Sequence, residues 1–317
     1  MKVYFFVGKG GTGKTTLSAA FGLGISKNNY KTLVISLDPA HNLGDALNLK
    51  ISDRVLKISK NFYAVEINIE KTIRKYLSEL SNRMRSTFRY FSVLNIDRYF
   101  DILKNAPGME EYAIVEVIKS YINSKEYDVI VFDTPPTGIT LRILGIPEVS
   151  IVWTERLIEL RRKILSRRKM LNNIHFASFS LKKRYSEEND DPVMRELYDY
   201  KGEMIELRDF LSSDNCTVNI VTVPENIALF ETERILEFLK KFSIKPGKVF
   251  INRCMMFRNV PKELIEKMKE QKRVVDKLRK DFSGLTVKEI PLVKISPQGL
   301  DKLFKFYENY LKEVQDD

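Results

Sequence analysis

Apolar residues follow two rhythms along this chain. Short runs occur at 3–7 (VYFFV), 32–37 (TLVISL), 127–132 (YDVIVF), 216–223 (CTVNIVTV), 248–251 (KVFI) and 285–290 (LTVKEI). Each is too short for a helix and reads as a strand. Between them the spacing turns helical. Residues 14–26 form one such stretch, and 226–242 another, with Ile227, Phe230, Ile235, Phe238, Leu239 and Phe242 on a single face. Buried strands alternating with amphipathic helices predict an α/β fold: a largely parallel sheet flanked by helices. Two stretches, about 70–124 and about 147–212, carry long helical patterns with little strand signal. They predict an α-helical subdomain built from two insertions into a single domain spanning 1–317. SEENDDP at 186–192 reads as a loop.

Composition narrows the setting. A chain of 317 residues, 44% hydrophobic, can bury a large core. It has no apolar run of the roughly eighteen residues that a membrane span needs. The first strand begins almost at once, leaving no room for a signal peptide. The two cysteines, Cys216 and Cys254, are too few and too far apart for a disulfide framework. They read as small core residues, and a cytoplasmic location follows, with the membrane surface as a peripheral station. The formal net charge is +11, with ten Lys or Arg against one acid (Glu159) between Arg156 and Arg184. That charge suits nucleic acid, an acidic membrane, or plain solvation.

Chemistry enters at GKGGTGKTT, residues 8–16, directly after the first strand. The spacing fits G-x-x-x-x-G-K-[ST], the phosphate-binding P-loop. Gly8, Gly10, Gly11, Thr12 and Gly13 would let backbone N–H groups curl around phosphates, and the following helix would direct its positive end at them. Lys14 would neutralise the β- and γ-phosphates of ATP. The Thr15 hydroxyl would ligate Mg²⁺, and Thr16 extends the cradle. Lys9 is a second lysine inside the same loop. It cannot easily fold back onto phosphates wrapped by its own backbone, but it can reach phosphates held by a facing copy.

The KGGTGKTT form resembles the deviant P-loop shared by ArsA, MinD, ParA and the nitrogenase iron protein, where the extra lysine acts across a dimer. DPAHNLGDAL (38–47) and DTPPTGITLRIL (133–144), each following a strand, resemble the switch I and switch II of one family within it. That family is the ArsA and tail-anchored-protein-targeting ATPases. PGMEE (107–111) and FETERILEFL (230–239) also resemble its segments, in the same order along the chain. The resemblance implies a P-loop NTPase fold, a homodimer and Mg²⁺-dependent ATP hydrolysis. It makes Asp38 the group that orients or activates the attacking water, with Lys9 and Lys14 beside it in catalysis. Asp133 would support Mg²⁺ through water. Asn252 would contact adenine, with Pro291 to Gly299 on the other side of the base. A polar loop residue is the competing reading of Asn252, and a turn-initiating Asp-Pro that of Asp38.

Departures from the family pattern matter too. The CxxC zinc pair is missing, the three cysteines of the ArsA arsenite site have no counterpart, and position 139 is Ile where His is usual. Trp153, Leu157, Leu160 and Ile164 recur at helical spacing with Arg161, Arg162, Arg167 and Arg168 nearby. They read either as one wall of a groove for a hydrophobic client or as an ordinary core helix with a charged face. Three functions follow. One is a dimeric ATPase that captures and releases the transmembrane segment of tail-anchored proteins, working with a membrane receptor. A second is the soluble ATPase subunit of an arsenite or anion pump. A third, a ParA-like partition ATPase, is disfavoured by DPAHNL and FETERIL, so nucleic acid is not an expected partner.

Overall fold

The computed structural model describes residues 1–40, 42–87, 103–174, 188–256 and 262–312. His41, His175 and Lys182 to Arg184, at the end of the basic segment, lie outside the described residues. The described chain forms two compact units.

The first unit comprises Met1–Ile73, Glu110–Leu144 and Leu211–Asp317. Its strands are β1 (Lys2–Val7), β2 (Thr32–Ser36), β3 (Leu56–Lys57), β4 (Phe62–Glu66), β5 (Val129–Asp133), β6 (Cys216–Thr222), β7 (Pro246–Cys254) and β8 (Val287–Pro291). They form one sheet in the order β3-β4-β2-β5-β1-β6-β7-β8. Every pairing is parallel except β3 with β4. The centre is apolar throughout: Phe5, Phe6, Val34, Ile35, Val131, Phe132, Ile220 and Phe250 are fully or almost fully buried, as a sheet covered on both faces requires.

Six of these strands coincide with the apolar runs, and β3 and β4 do not. The run in β4 ends on Glu66, a buried carboxylate that accepts the Gly44 N–H at 2.8 Å.

Helix α1 (Lys14–Lys27) is buried on nearly every side, so it shows no one-faced pattern. Two glycines let it sit close. A Cβ on Gly22 would lie 2.4 Å from the Val34 side chain, and one on Gly24 2.3 Å from the Tyr307 ring. Tyr307 belongs to the last helix of the unit, Leu300–Tyr310. The short α2 is Asn42–Leu47. Helix α3 (Ile69–Thr87) begins in this unit.

Helix α4 (Met109–Ser124) differs from expectation. Its periodicity placed it in the helical insertion, yet from Glu110 onward it belongs to the sheet-bearing unit. The reason is the burial of Ala113, Ile114, Val115, Ile118 and Ile122, with Glu111 accepting Arg142 Nε at 2.8 Å within the same unit. Periodicity identifies a helix with a buried face but not what that face buries against.

The second unit comprises Arg74–Met109 and Gly145–Phe210. Helix α5 (Thr137–Ile174) starts in the first unit and contributes everything from Gly145 to this one, with Pro147 inside it. Ile158 and Leu165 of α5 pack with Met194 and Leu197 of α6 (Pro192–Leu211). Asp191 starts α6 as a carboxylate cap, accepting the Met194 N–H at 2.9 Å, and Pro192 occupies the first helical position, where no N–H is needed. The same carboxylate takes Arg161 of α5 in a two-point pair at 3.1 and 2.7 Å. The remaining helices, α7 (Asn226–Lys241), α8 (Ile265–Asp281) and α9 (Leu300–Tyr310), belong to the first unit.

Candidate nucleotide site

The carboxyl ends of β1, β2, β5 and β7 deliver the candidate residues to one rim of the sheet. This is where open parallel sheets bind ligands. β1 runs into the loop 8–13, and α1 begins at Lys14. Glycine is required here by geometry. A Cβ on Gly8 would sit 2.0 Å from the Val221 carbonyl oxygen, and Gly11 and Gly13 have φ of 79° and 99°, the left-handed region that side chains avoid. Gly10 faces open space. Thr12 closes the turn, its hydroxyl donating to the Lys9 carbonyl at 2.9 Å.

Lys14 is buried, and its ammonium arches over the loop to the carbonyls of Gly8 at 3.0 Å and Lys9 at 3.3 Å. Burial lowers its pKa, against the opposing pull of Asp133, Asp38 and Glu231. A partly desolvated cation aimed along the loop is suited to a polyanion. Lys9, in contrast, is exposed.

Asp133 ends β5 and is fully buried. Desolvation pushes its carboxyl up to about 7, with Thr15, Lys14 and Ser36 opposing that shift and Asp38 adding to it. Ser36, its register partner on β2, approaches one carboxylate oxygen at 3.5 Å. The other oxygen, Oδ1, has no hydrogen-bond partner among the described residues. A buried carboxylate with an unpartnered oxygen, on a residue that also interacts with Thr15, would suit a hydrated divalent cation, which would supply a partner and a counter-charge. Asp38 follows β2, half-buried, with Oδ1 accepting the Ala40 N–H at 3.0 Å. This is the turn-forming contact that Asp-Pro favours, and it leaves Oδ2 available to chemistry.

Asn252, at the end of β7, donates to the Thr12 carbonyl at 2.7 Å. Pro291 ends β8 opposite Cys254. Three residues that the motifs did not single out join the site: Ser36, Glu231 and Thr134, whose hydroxyl donates to the Phe6 carbonyl at 2.8 Å. Ser36 and Thr134 had a signal, since each is a hydroxyl at the carboxyl end of a buried strand.

Trp153, Leu157 and Leu160 lie far along α5, in the second unit, and are 66%, 46% and 55% exposed. Val149, Val152 and Ile164 accompany them, while Ile151, Ile158 and Leu165 occupy the buried face. Arg161 and Arg162 are engaged, with Asp191 and Glu188 respectively. Cys216 and Cys254 are buried thiols, each pushed by burial up to about 12. The described residues contain no metal-binding cluster of His, Cys, Asp and Glu, and no helix among them is long and apolar enough to cross a membrane.

The family profile of anion-transporting ATPases matches residues 1–312. A chain of Aquifex aeolicus, provisionally named arsenical pump-driving ATPase 2, is 28% identical over 96% of this chain and 98% of its own length. ATPase get3 of Pyrenophora tritici-repentis is 30% identical over 97% of this chain and 90% of its own. ATPase GET3B of Arabidopsis thaliana is 28% identical over 95% and 77%.

Proposed function

Because the chain belongs to the ArsA family of anion-transporting ATPases and hydrolyses ATP, we propose that it does so as a Mg²⁺-dependent homodimer that captures and releases a hydrophobic client. The client class is the transmembrane segment of tail-anchored membrane proteins. In this reading the backbone N–H groups of the loop 8–13 and the start of α1 wrap the triphosphate. Lys14 neutralises the β- and γ-oxygens. Thr15, and Asp133 through water, would hold the cation, which would screen phosphate charge. Asp38 orients the attacking water with its second oxygen. Lys9 points its charge to solvent, where the facing copy's nucleotide would meet it.

The observation that carries the client reading is the row Val149, Trp153, Leu157, Leu160 and Ile164. Large apolar side chains stand exposed along the same helix whose other face is packed. Contiguous apolar surface of this kind marks a partner surface, and a helix of about twenty apolar residues is a partner in need of shelter. The basic residues downstream would meet headgroups, a receptor, or residues flanking the client's helix. Co-expression with a tail-anchored substrate is expected to give a soluble complex. The double substitution Leu157→Glu and Leu160→Glu is expected to abolish that complex while ATP turnover stays near the parental rate. No complex in either nucleotide state would remove the client reading and leave the ATPase.

A second reading, the ATPase subunit of an anion pump, is favoured by the name of the Aquifex relative. It predicts acceleration of turnover by arsenite or antimonite. The two buried, weakly acidic thiols offer no such ligand set, which is why the client reading ranks first.

A further inference from the structure

β7 is irregular at two points, one against β6 and one against β8, and the second lies beside the P-loop. Ile251 pairs with Glu289 and Cys254 with Pro291, so Asn252 and Arg253 together stand opposite the single residue Ile290. This is a β-bulge, uncommon in a parallel pair, and bulges re-aim side chains beside sites. Arg253 adopts φ 60°, a left-handed conformation unusual for a long side chain. It is held there by its own neighbour, since its N–H donates to Asn252 Oδ1 at 2.9 Å.

The other end of the same carboxamide donates to the Thr12 carbonyl at 2.7 Å. The space for that contact exists because residue 13 is glycine: a Cβ there would sit 2.4 Å from Asn252 Nδ2. The bulge is anchored from behind as well. Gln271 pairs with both backbone groups of Met255 at 2.8 and 3.2 Å, and the Leu292 N–H donates to Cys254 O at 2.7 Å. Asn252 is therefore a strut on a fixed base, gripping the loop where it turns into α1.

We propose that Asn252 is a positioning residue of the P-loop: by holding the Thr12 carbonyl it sets the curvature of the loop for the triphosphate, whichever base the nucleotide carries. The role is distinct from base recognition. One amide hydrogen and one lone pair of the side chain remain for other partners, so a contact with adenine would add to the strut without replacing it. The inference rests on ATPase membership and is independent of the client reading.

The test uses inorganic tripolyphosphate as a ligand with no base, beside ATP and GTP. Asn252→Ala is expected to weaken tripolyphosphate and ATP by the same factor, about three- to tenfold, the scale of one lost hydrogen bond at a positioned group. The preference for ATP over GTP should not change. Parental tripolyphosphate affinity with a collapsed ATP preference would overturn the proposal in favour of a base contact alone. Parental affinity for all three ligands would overturn it outright. Melting curves report whether the variant folds. If it does not, Asn252→Thr takes its place, since threonine suits a strand and can still accept the Arg253 N–H but has no amide to reach Thr12. In the folded variant, amide hydrogen exchange across residues 9–13 should rise, and protection equal to the parent's would also overturn the strut.

Discussion

Lys14 and Asp38 are both charged residues of one site, yet their removal should fail differently. Lys14 is a buried cation already turned along the loop, and nothing else described nearby can neutralise the β- and γ-phosphates. Lys14→Ala should therefore lose productive ATP binding, as titration with a fluorescent ATP analogue would show. Asp38 is half-buried at the end of β2, where Asn preserves shape and removes charge. Asp38→Asn should keep nucleotide binding while turnover falls by roughly a hundredfold, the usual scale for a lost water-positioning base. Unchanged turnover in a phosphate-release assay would remove Asp38 from the mechanism. At this scale the sequence was most readable where backbone geometry dictates residue type. Gly8, Gly11 and Gly13 are forced by a carbonyl or by positive φ, so the loop announces itself. Arg253 shows the opposite case. Its left-handed φ comes from a bulge and from Asn252, and no residue type in NRC signals it.

At the scale of elements, the pairing of α5 with α6 hangs on Asp191. Its carboxylate is buried, caps α6 and grips Arg161. Burial acts to raise its pKa, but Arg161 and the helix N–H groups outweigh that, so the folded value lies below the ordinary one. Its contribution to stability is thus full above the unfolded carboxylate pKa of about 3.9 and lost as pH falls through the folded value. Asp191→Ala should cost about 2–4 kcal/mol near neutrality, combining a lost cap with an uncompensated buried arginine. The gap to the parent should narrow below about pH 4, measured by denaturant unfolding at several pH values; a constant gap would contradict this account. The strands β1, β2 and β5 to β7 were legible as mainly apolar runs, and β8 was legible despite Lys288 and Glu289 inside it. β4 went unread although Phe62 to Val65 form an apolar run, and the periodicity of α4 does not name the body its buried face packs against.

At the scale of the whole molecule, the question for Lys9 is whether it serves its own site or a second copy's. The proposed dimer makes it act in trans. Lys9→Ala and Asp38→Asn protomers, each inactive alone, should regain part of the turnover when mixed. In the mixed dimer the site that keeps Asp38 receives its Lys9 from the partner. Mixed dimers that form, as shown by differently tagged chains, yet stay inactive would count against the trans role. What the sequence could not reveal at this scale is which surface is left uncovered. Spacing put Trp153, Leu157 and Leu160 on one face of a helix, but it took the packed positions Ile151, Ile158 and Leu165 to show that this face is the outer one.

The strand order also has a consequence for how the protein is made. β1 holds the fifth place in the sheet, between β5 and β6. Its registers join Val3 to Ile130 on one side and Cys216 on the other. A ribosome synthesises the P-loop strand before the other strands of this sheet, and more than two hundred residues must follow before its last neighbour exists. Contacts this distant in sequence slow folding. Through that interval one edge of Val3–Val7, with Phe5 and Phe6 in it, has no partner strand. Unpaired apolar edges of this kind seed aggregation. A protein proposed to shelter other chains' apolar segments would itself depend on shelter while it is being born.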